Sequence, residues 1–254
     1  TKAEKWVKEF NGSFKKTPGN ACKDSEVVFI CVGKDSDLRE VMEGSDGILN
    51  HVNQNTIIVD HTTASANIAR EYFNICKNQN LHFLDAPISG GQAGAENGQL
   101  SVMIGGDQEP FLKVKDVISS YSKAIELIGP SGSGQLTKMV NQICIAGLVQ
   151  GLSEAMAFGK KSDLDMEKVL KVISNGAAQS WQMENRYKTM IDDNFDFGFA
   201  VDWMRKDLKI AMDEAKNNGS LLPVTELVDK YYGEVQGMGG NRWDTSSLIK
   251  RFRK

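Results

Sequence analysis

Histidine, cysteine and proline are scarce in this chain, and each scarcity removes a class of chemistry. Three histidines, four cysteines and five prolines occur among 254 residues. His51, His61 and His82 are too scattered for a metal site or a nucleophile–histidine–acid set, so a structural or surface role is expected for them. Neither H-E-x-x-H nor G-x-S-x-G is present, which removes the zinc-protease and serine-hydrolase classes. Cys22, Cys31, Cys76 and Cys144 show no metal-ligand spacing, and no metal is expected. Cys31 falls in an apolar strand-like run and Cys144 in an apolar helix-like run, which predicts buried thiols in a reducing, cytoplasmic setting. No secretory signal is expected at the start. Long apolar runs are absent too. The most apolar stretch, Met139 to Phe158, is interrupted by Asn141, Gln142, Gln150, Ser153 and Glu154. It is too polar to cross a membrane and predicts a buried helix. An excess of positive charge is also missing. The formal net charge is −3, which argues against nucleic acid as a partner but leaves room for a small acidic substrate in a locally positive pocket.

What is present is alternation. Apolar runs at Val27–Val32, Thr56–Val59, Leu81–Leu84, Leu100–Ile104 and Ala124–Ile128 read as strands, the first of them covered on both faces. Ser13–Lys16 reads as a further short strand and Pro18–Asp24 as a helical turn with proline near its start. Helical patterns lie between, at Ala3–Phe10, from Leu38, at Ala66–Asn78 and at Pro110–Tyr121, the last with Asp107 as its cap. Such alternation predicts an α/β fold with a mostly parallel, Rossmann-like sheet. After Gly129-Pro130 helix follows helix, beginning with a long one from Gln135 to Lys160. Others are expected at Met166–Ser174, Ser180–Thr189, Val201–Asn217 and Thr225–Glu234. The expected division is an α/β domain over residues 1–129 and an all-helical domain over 130–254, built around the long interdomain helix. A chain of this class usually opens with G-x-G-x-x-G on a strand–turn–helix. None occurs; Gly132-Ser-Gly134 and Gly237-Met-Gly239 each lack the third glycine. Either the α/β domain is of another type or its first β-α-β unit lies outside these residues.

Three segments carry chemistry. Asp85-Ala-Pro-Ile-Ser-Gly-Gly91 continues to Gly94 and Gly98. Backbone amides in so glycine-dense a loop approach a ligand without a Cβ in the way and suit a carboxylate; an ordinary hairpin loop explains the composition equally well. Gly132 to Gln142 opens the long helix, with Lys138, Asn141 and Gln142 on one face at i, i+3 and i+4. A lysine among apolar neighbours serves proton transfer when desolvated, or it snorkels to water. Trp203-Met-Arg-Lys-Asp-Leu208 reads as a solvated helix face unless Lys206 turns inward. Val32-Gly-Lys-Asp35 and Asp60-His-Thr-Thr63 each follow a strand, where ligands of open α/β sheets sit and where helix caps also sit.

Taken in order, these segments resemble the β-hydroxyacid dehydrogenase family. Asp85–Gly91 with Gly94 and Gly98 is similar to its substrate-binding signature, Gly132–Gln142 to its catalytic signature, and Lys206-Asp-Leu208 to its C-terminal cofactor-side signature. The resemblance implies hydride transfer between NAD or NADP and a small β-hydroxyacid or its semialdehyde. It implies Lys138 as general acid and base; Ser89, Gly90 and Gly91 on the substrate carboxylate; Asn141 and Gln142 orienting the substrate; and Val32, Gly33, Asp37, Thr62, Thr63 and Lys206 lining the cofactor. The family opens with the fingerprint that these residues lack. The expectation is therefore weak cofactor binding and slow turnover by these residues alone, restored by about 30 upstream residues, the size missing from one β-α-β unit. In the family's sheet the missing strands lie between the strand near Ser13 and the strand at Val27, and without them Val27–Val32 is expected to be a long apolar edge. Two alternatives stand beside this one. A non-catalytic binding module would keep the fold without the fingerprint. A 6-phosphogluconate dehydrogenase-like enzyme would need a donor cluster for phosphate, for which Arg186, Tyr187 and Arg205 are the candidates. The apolar faces of the long helix predict a homo-oligomer, a dimer or tetramer.

Overall fold

A computed structural model of the protein describes residues 1–253. It divides into two compact units, Thr1–Lys138 and Met139–Lys254. In the first unit the helices α1 (Lys2–Phe10) and α2 (Pro18–Cys22) precede β1 (Val27–Ile30), α3 (Asp35–Glu43), β2 (Ile57–Asp60) and α4 (Ala66–Asn78). Then come β3 (His82–Asp85), β4 (Ile88–Ser89), α5 (Gly91–Glu96), β5 (Leu100–Gly105), α6 (Gln108–Ser119), β6 (Ser122–Gly129) and the start of α7 (Ser133–Lys161).

The sheet is Rossmann-like and mixed. Its order is β1-β2-β3-β5-β4, with β6 beside β5. β1, β2 and β3 run parallel, while β5 runs antiparallel to β3 and β4 and parallel to β6. Alternate strand residues feed two cores. Ile30, Ile58 and Phe83 pack with Leu38 and Met42 of α3 and Ile68, Tyr72 and Cys76 of α4. Ile57, Val59, Leu84, Val102 and Ile104 pack with Phe111, Val114 and Ile118 of α6. The helical members recur every three or four residues, the spacing of one helix face. Ser65 caps α4 through the Ile68 amide, and Asp35 at the start of α3 accepts from the Ser65 amide and hydroxyl at 3.0 and 2.6 Å. The helices that follow β1 and β2 are thereby tied together at their amino ends.

In the second unit α7 continues and is followed by α8 (Met166–Ile173), α9 (Trp181–Ile191), α10 (Val201–Asn218), α11 (Pro223–Gly237) and a 3-10 segment, Thr245–Phe252. One core joins Ala146 and Val149 of α7 to Val201, Met204 and Leu208 of α10 and to Val228 and Tyr232 of α11. The other joins Leu152 and Met156 of α7 to Leu170, Met183 and Met190. α10 ends at Gly219, whose φ of 78° forms the left-handed cap that glycine adopts without strain. The buried Asp244 carboxylate accepts from Arg186 Nε, the Phe199 amide and the Ser246 amide and hydroxyl.

Several expectations are corrected. Ser13–Lys16 forms no strand, having no neighbour to satisfy its amides and carbonyls. β1 is the sheet edge expected of Val27–Val32, but it is not covered on both faces, since Phe29 is 40% exposed. Cys31, just beyond that edge, and Cys144, on α7, are exposed rather than buried. Asp107 occupies the N-cap position of α6 but its side chain makes no capping bond. α7 is not buried all round: Val140, Leu148 and Phe158 are 61%, 47% and 73% exposed. The glycine loop is no plain hairpin; it folds into β4 and the short α5.

Candidate active site

In the first unit the structure brings Lys138 to the glycine-rich segment. Lys138 is only 6% exposed, and its Nζ donates to the Ile88 carbonyl at 2.8 Å. Ile88 and the neighbouring Ser89 make up β4, held by pairing with Val102 and Ser101 of β5. Gly90 and Gly91 follow with φ of 133° and 62°, a left-handed turn that disfavours any side chain. Space permits a Cβ at Gly91, whose surroundings are open, so backbone conformation alone selects glycine there. An ammonium is thus brought, from 50 residues away, to the backbone carbonyl that immediately precedes Ser89, Gly90 and Gly91.

The start of α7 is placed by residues not singled out in the sequence. Asp85, at the end of β3, is fully buried. Its carboxylate accepts from the Gly132 amide at 2.7 Å and the Gln135 amide at 3.0 Å, meeting the positive end of a helix. Burial pushes its carboxyl up to about 6, against the lowering effect of those amides. The Gln135 side chain accepts from the Ala64 amide at 3.0 Å and donates to the Thr62 carbonyl at 2.7 Å. Only a glycine fits at position 134, where a Cβ would lie 2.5 Å from the Asp85 carbonyl.

The carboxyl ends of β1 and β2 lie side by side. The Val32 amide donates to Thr62 Oγ1 at 3.0 Å, and the Thr62 amide donates to Asp60 Oδ1 at 3.0 Å. Thr62 is buried, whereas Val32, Gly33, Asp37 and Thr63 are half-buried. Asp60 Oδ2 is buried with no hydrogen-bond partner, and burial raises that carboxyl to about 7. His61 is structural: its Nδ1 meets the Ala86 carbonyl at 2.6 Å and its Nε2 the Tyr121 hydroxyl at 2.9 Å. Burial lowers its affinity for a second proton.

The second unit holds a polar chain. Asn141 Nδ2 donates to Gln142 Oε1 at 2.8 Å, and Gln142 Nε2 donates to Asp207 Oδ2 at 2.7 Å. Lys206 Nζ pairs with Asp207 Oδ1 at 3.0 Å and lies 5.7 Å from the centroid of the Trp203 ring. Lys206 therefore does not project into solvent as a bare charge. Asp207 was legible as the one acid on the buried stripe Met204, Leu208, Ala211 of α10. Arg205 is engaged by Asp229 and Gln236, and Arg186 by Asp244 and the Trp181 and Phe197 rings. Neither is left to form a phosphate-binding cluster. Among the described residues no group of acids, histidines and cysteines could hold a metal.

Comparison with known proteins agrees with these features. Residues 1–129 match the model of the NAD-binding domain of 6-phosphogluconate dehydrogenase, and residues 132–252 that of the NAD-binding domain of NADP-dependent 3-hydroxyisobutyrate dehydrogenase. An oxidoreductase of Shewanella frigidimarina is 61% identical over 253 residues, which are 100% of this chain and 87% of that protein. The 2-hydroxy-3-oxopropionate reductase of Escherichia coli is 32% identical over 226 residues, 89% of this chain and 77% of the relative.

The chain belongs to the β-hydroxyacid dehydrogenase family.

A crystal structure of 3-hydroxyisobutyrate dehydrogenase from Salmonella typhimurium matches with a TM-score of 0.83 and 26% identity, over 92% of this chain and 82% of that one. Like the family, this member is an NAD(P)-dependent hydroxyacid oxidoreductase. The half-buried backbone at the ends of the parallel strands β1 and β2 suits a dinucleotide, which open α/β sheets bind at their carboxyl edge.

Proposed function

We propose that this dehydrogenase interconverts a small β-hydroxyacid and its semialdehyde, with Lys138 as general acid in reduction and general base in oxidation. The buried Lys138 ammonium beside Ile88 and Ser89 carries the proposal. A bound nicotinamide supplies the hydride in reduction and accepts it in oxidation. As the carbonyl carbon gains that hydride, its π pair moves to oxygen, and Lys138 gives that oxygen a proton so that no full charge accumulates there. In oxidation the neutral amine takes the hydroxyl proton. Ser89, Gly90 and Gly91 hold the substrate carboxylate by hydroxyl and amides. Asn141 and Gln142 orient the substrate, with Asp207 fixing the Gln142 amide. Val32, Gly33, Asp37, Thr62, Thr63 and Lys206 line the cofactor. In this division residues 1–129 carry the nucleotide, and residues 130–254 add the helices that orient substrate and associate.

Association follows from α7. Its Val140, Cys144 and Leu148 form an exposed stripe at four-residue spacing, continuing to the open Gly151. A second copy of the chain is the proposed cover, giving a homo-oligomer, a dimer or tetramer. The proposed compartment is the cytoplasm, supported by the buried thiols of Cys22 and Cys76; no described helix is long and apolar enough to cross a membrane. The deciding experiment assays the full-length protein with 3-hydroxyisobutyrate, glycerate, 4-hydroxybutyrate and their aldehydes, using both nicotinamides. Turnover of at least one β-hydroxyacid, abolished by removing its carboxylate, is expected. Turnover indifferent to the carboxylate contradicts the proposed role of Ser89–Gly91.

A further inference from the structure

We propose that Asp85 is the positioning residue for Lys138, its carboxylate setting where the ammonium meets the acid-binding segment. The inference rests on Lys138 being the proton donor. Asp85 is linked to both halves of that contact, to one by its backbone and to the other by its side chain. It ends β3, and three residues later the same strand path presents the Ile88 carbonyl that accepts from Lys138. Its carboxylate also fixes the first turn of α7 through the Gly132 and Gln135 amides, and Lys138 follows Gln135 by three residues, about one helical turn. One end of the Lys138–Ile88 hydrogen bond is therefore held by the Asp85 side chain, and the other lies three residues along its backbone.

The carboxylate sits in a slot without slack. A Cβ on Gly105 would lie 2.6 and 2.9 Å from its two oxygens, and a Cβ on Gly134 2.9 Å from Oδ2. Ser131 Oγ closes another side at 3.4 Å from Oδ1. The start of α7 cannot slide along β3 without breaking both amide contacts. Asp85 is fully buried, so it acts through the backbone and not on substrate. A helix cap that served stability alone would not care which residue stands at 138.

A double-mutant cycle in the full-length enzyme separates the two roles. Asp85→Asn keeps the size but turns an NH2 toward an amide donor; Lys138→Ala removes the amine. The readouts are kcat, KM for the hydroxyacid, and NAD(P)H affinity by fluorescence. Asp85→Asn is expected to lower kcat about 10- to 100-fold, the scale of an ångström-sized misplacement. KM and cofactor affinity should stay within about threefold, and the loss should shrink below about twofold in the Lys138→Ala background, because coupled residues are not additive. An equal fractional loss in both backgrounds, or an unchanged kcat, overturns the proposal while leaving Lys138 in place. If Lys138→Ala alone stays within about threefold of wild type, far short of the loss expected for a proton donor, the role of Lys138 itself falls. Should Asp85→Asn not fold, Asp85→Ser, which retains one acceptor oxygen, replaces it in the same cycle.

Discussion

The first turn of α7 has no room for a methyl group at Gly134, and Gly134→Ala puts a magnitude on that. The added Cβ would collide with the Met103 carbonyl oxygen, lie 2.5 Å from the Asp85 carbonyl oxygen and 2.9 Å from Asp85 Oδ2. Two of these are backbone oxygens of β5 and β3, which cannot rotate aside. Carbon–oxygen contacts relax near 3.3 Å, so the helix start must retreat by roughly 0.5–1 Å. Overpacking costs about 1–3 kcal/mol, and three simultaneous collisions place this case near the upper value. In a chain of 254 residues each kcal/mol moves Tm by about 2–4 °C, so a fall of about 6–12 °C is expected. The same retreat draws Lys138 away from Ile88, and a 1 Å displacement costs on the order of 100-fold in rate. Thermal melts by circular dichroism and steady-state kinetics, run where the variant is folded, read both effects. Gly237→Ala is the control: it sits in α11 with open space around it and should raise Tm slightly. A Gly134→Ala variant that melts within about 2 °C of wild type, below the shift worked above, and keeps its kcat would refute the packing argument.

Other outcomes follow from the same structure. Burial holds the Asp60 carboxyl at about 7, above its unfolded value of 3.8; the folded state then binds the extra proton, and its stability falls as pH rises between those values. Asp60→Asn removes that cost, so its Tm should gain on wild type from about pH 5 to about pH 8; a gap that stays constant with pH contradicts it. Leu148→Glu places a charge on the exposed stripe of α7 and should yield monomers by analytical ultracentrifugation, with the far-UV spectrum kept; an unchanged sedimentation coefficient of an oligomer would exclude that face. Lys206→Met should weaken NAD(P)H binding about tenfold, the worth of one charge-assisted hydrogen bond, as read by fluorescence titration; unchanged affinity removes Lys206 from the cofactor's lining.

The parts of the fold legible in the sequence were those whose burial follows a period. β2 is buried at every residue, and α4 repeats buried residues at 68, 72 and 76; both were placed from pattern alone. Pattern failed where a neighbour decides. Val27–Ile30 reads as covered on both faces, yet Phe29 is 40% exposed, and Cys31 and Cys144 are exposed for reasons of position, not composition. The ordered motifs around Ser89, Lys138 and Lys206 pointed to the family. The positioning roles of Asp85 and Gln135 stayed hidden because their partners lie 47 to 73 residues away. A buried polar residue declares its role only once its partner is in place.

Lys138→Met tests the central claim most directly, since methionine keeps much of the side-chain volume and removes the proton. Single-turnover reduction of the semialdehyde should slow by about 1,000-fold, within the range of lost general acid catalysis, while NAD(P)H affinity holds. A variant that still transfers hydride within about tenfold of wild type, below that range, would show that the proton comes from elsewhere.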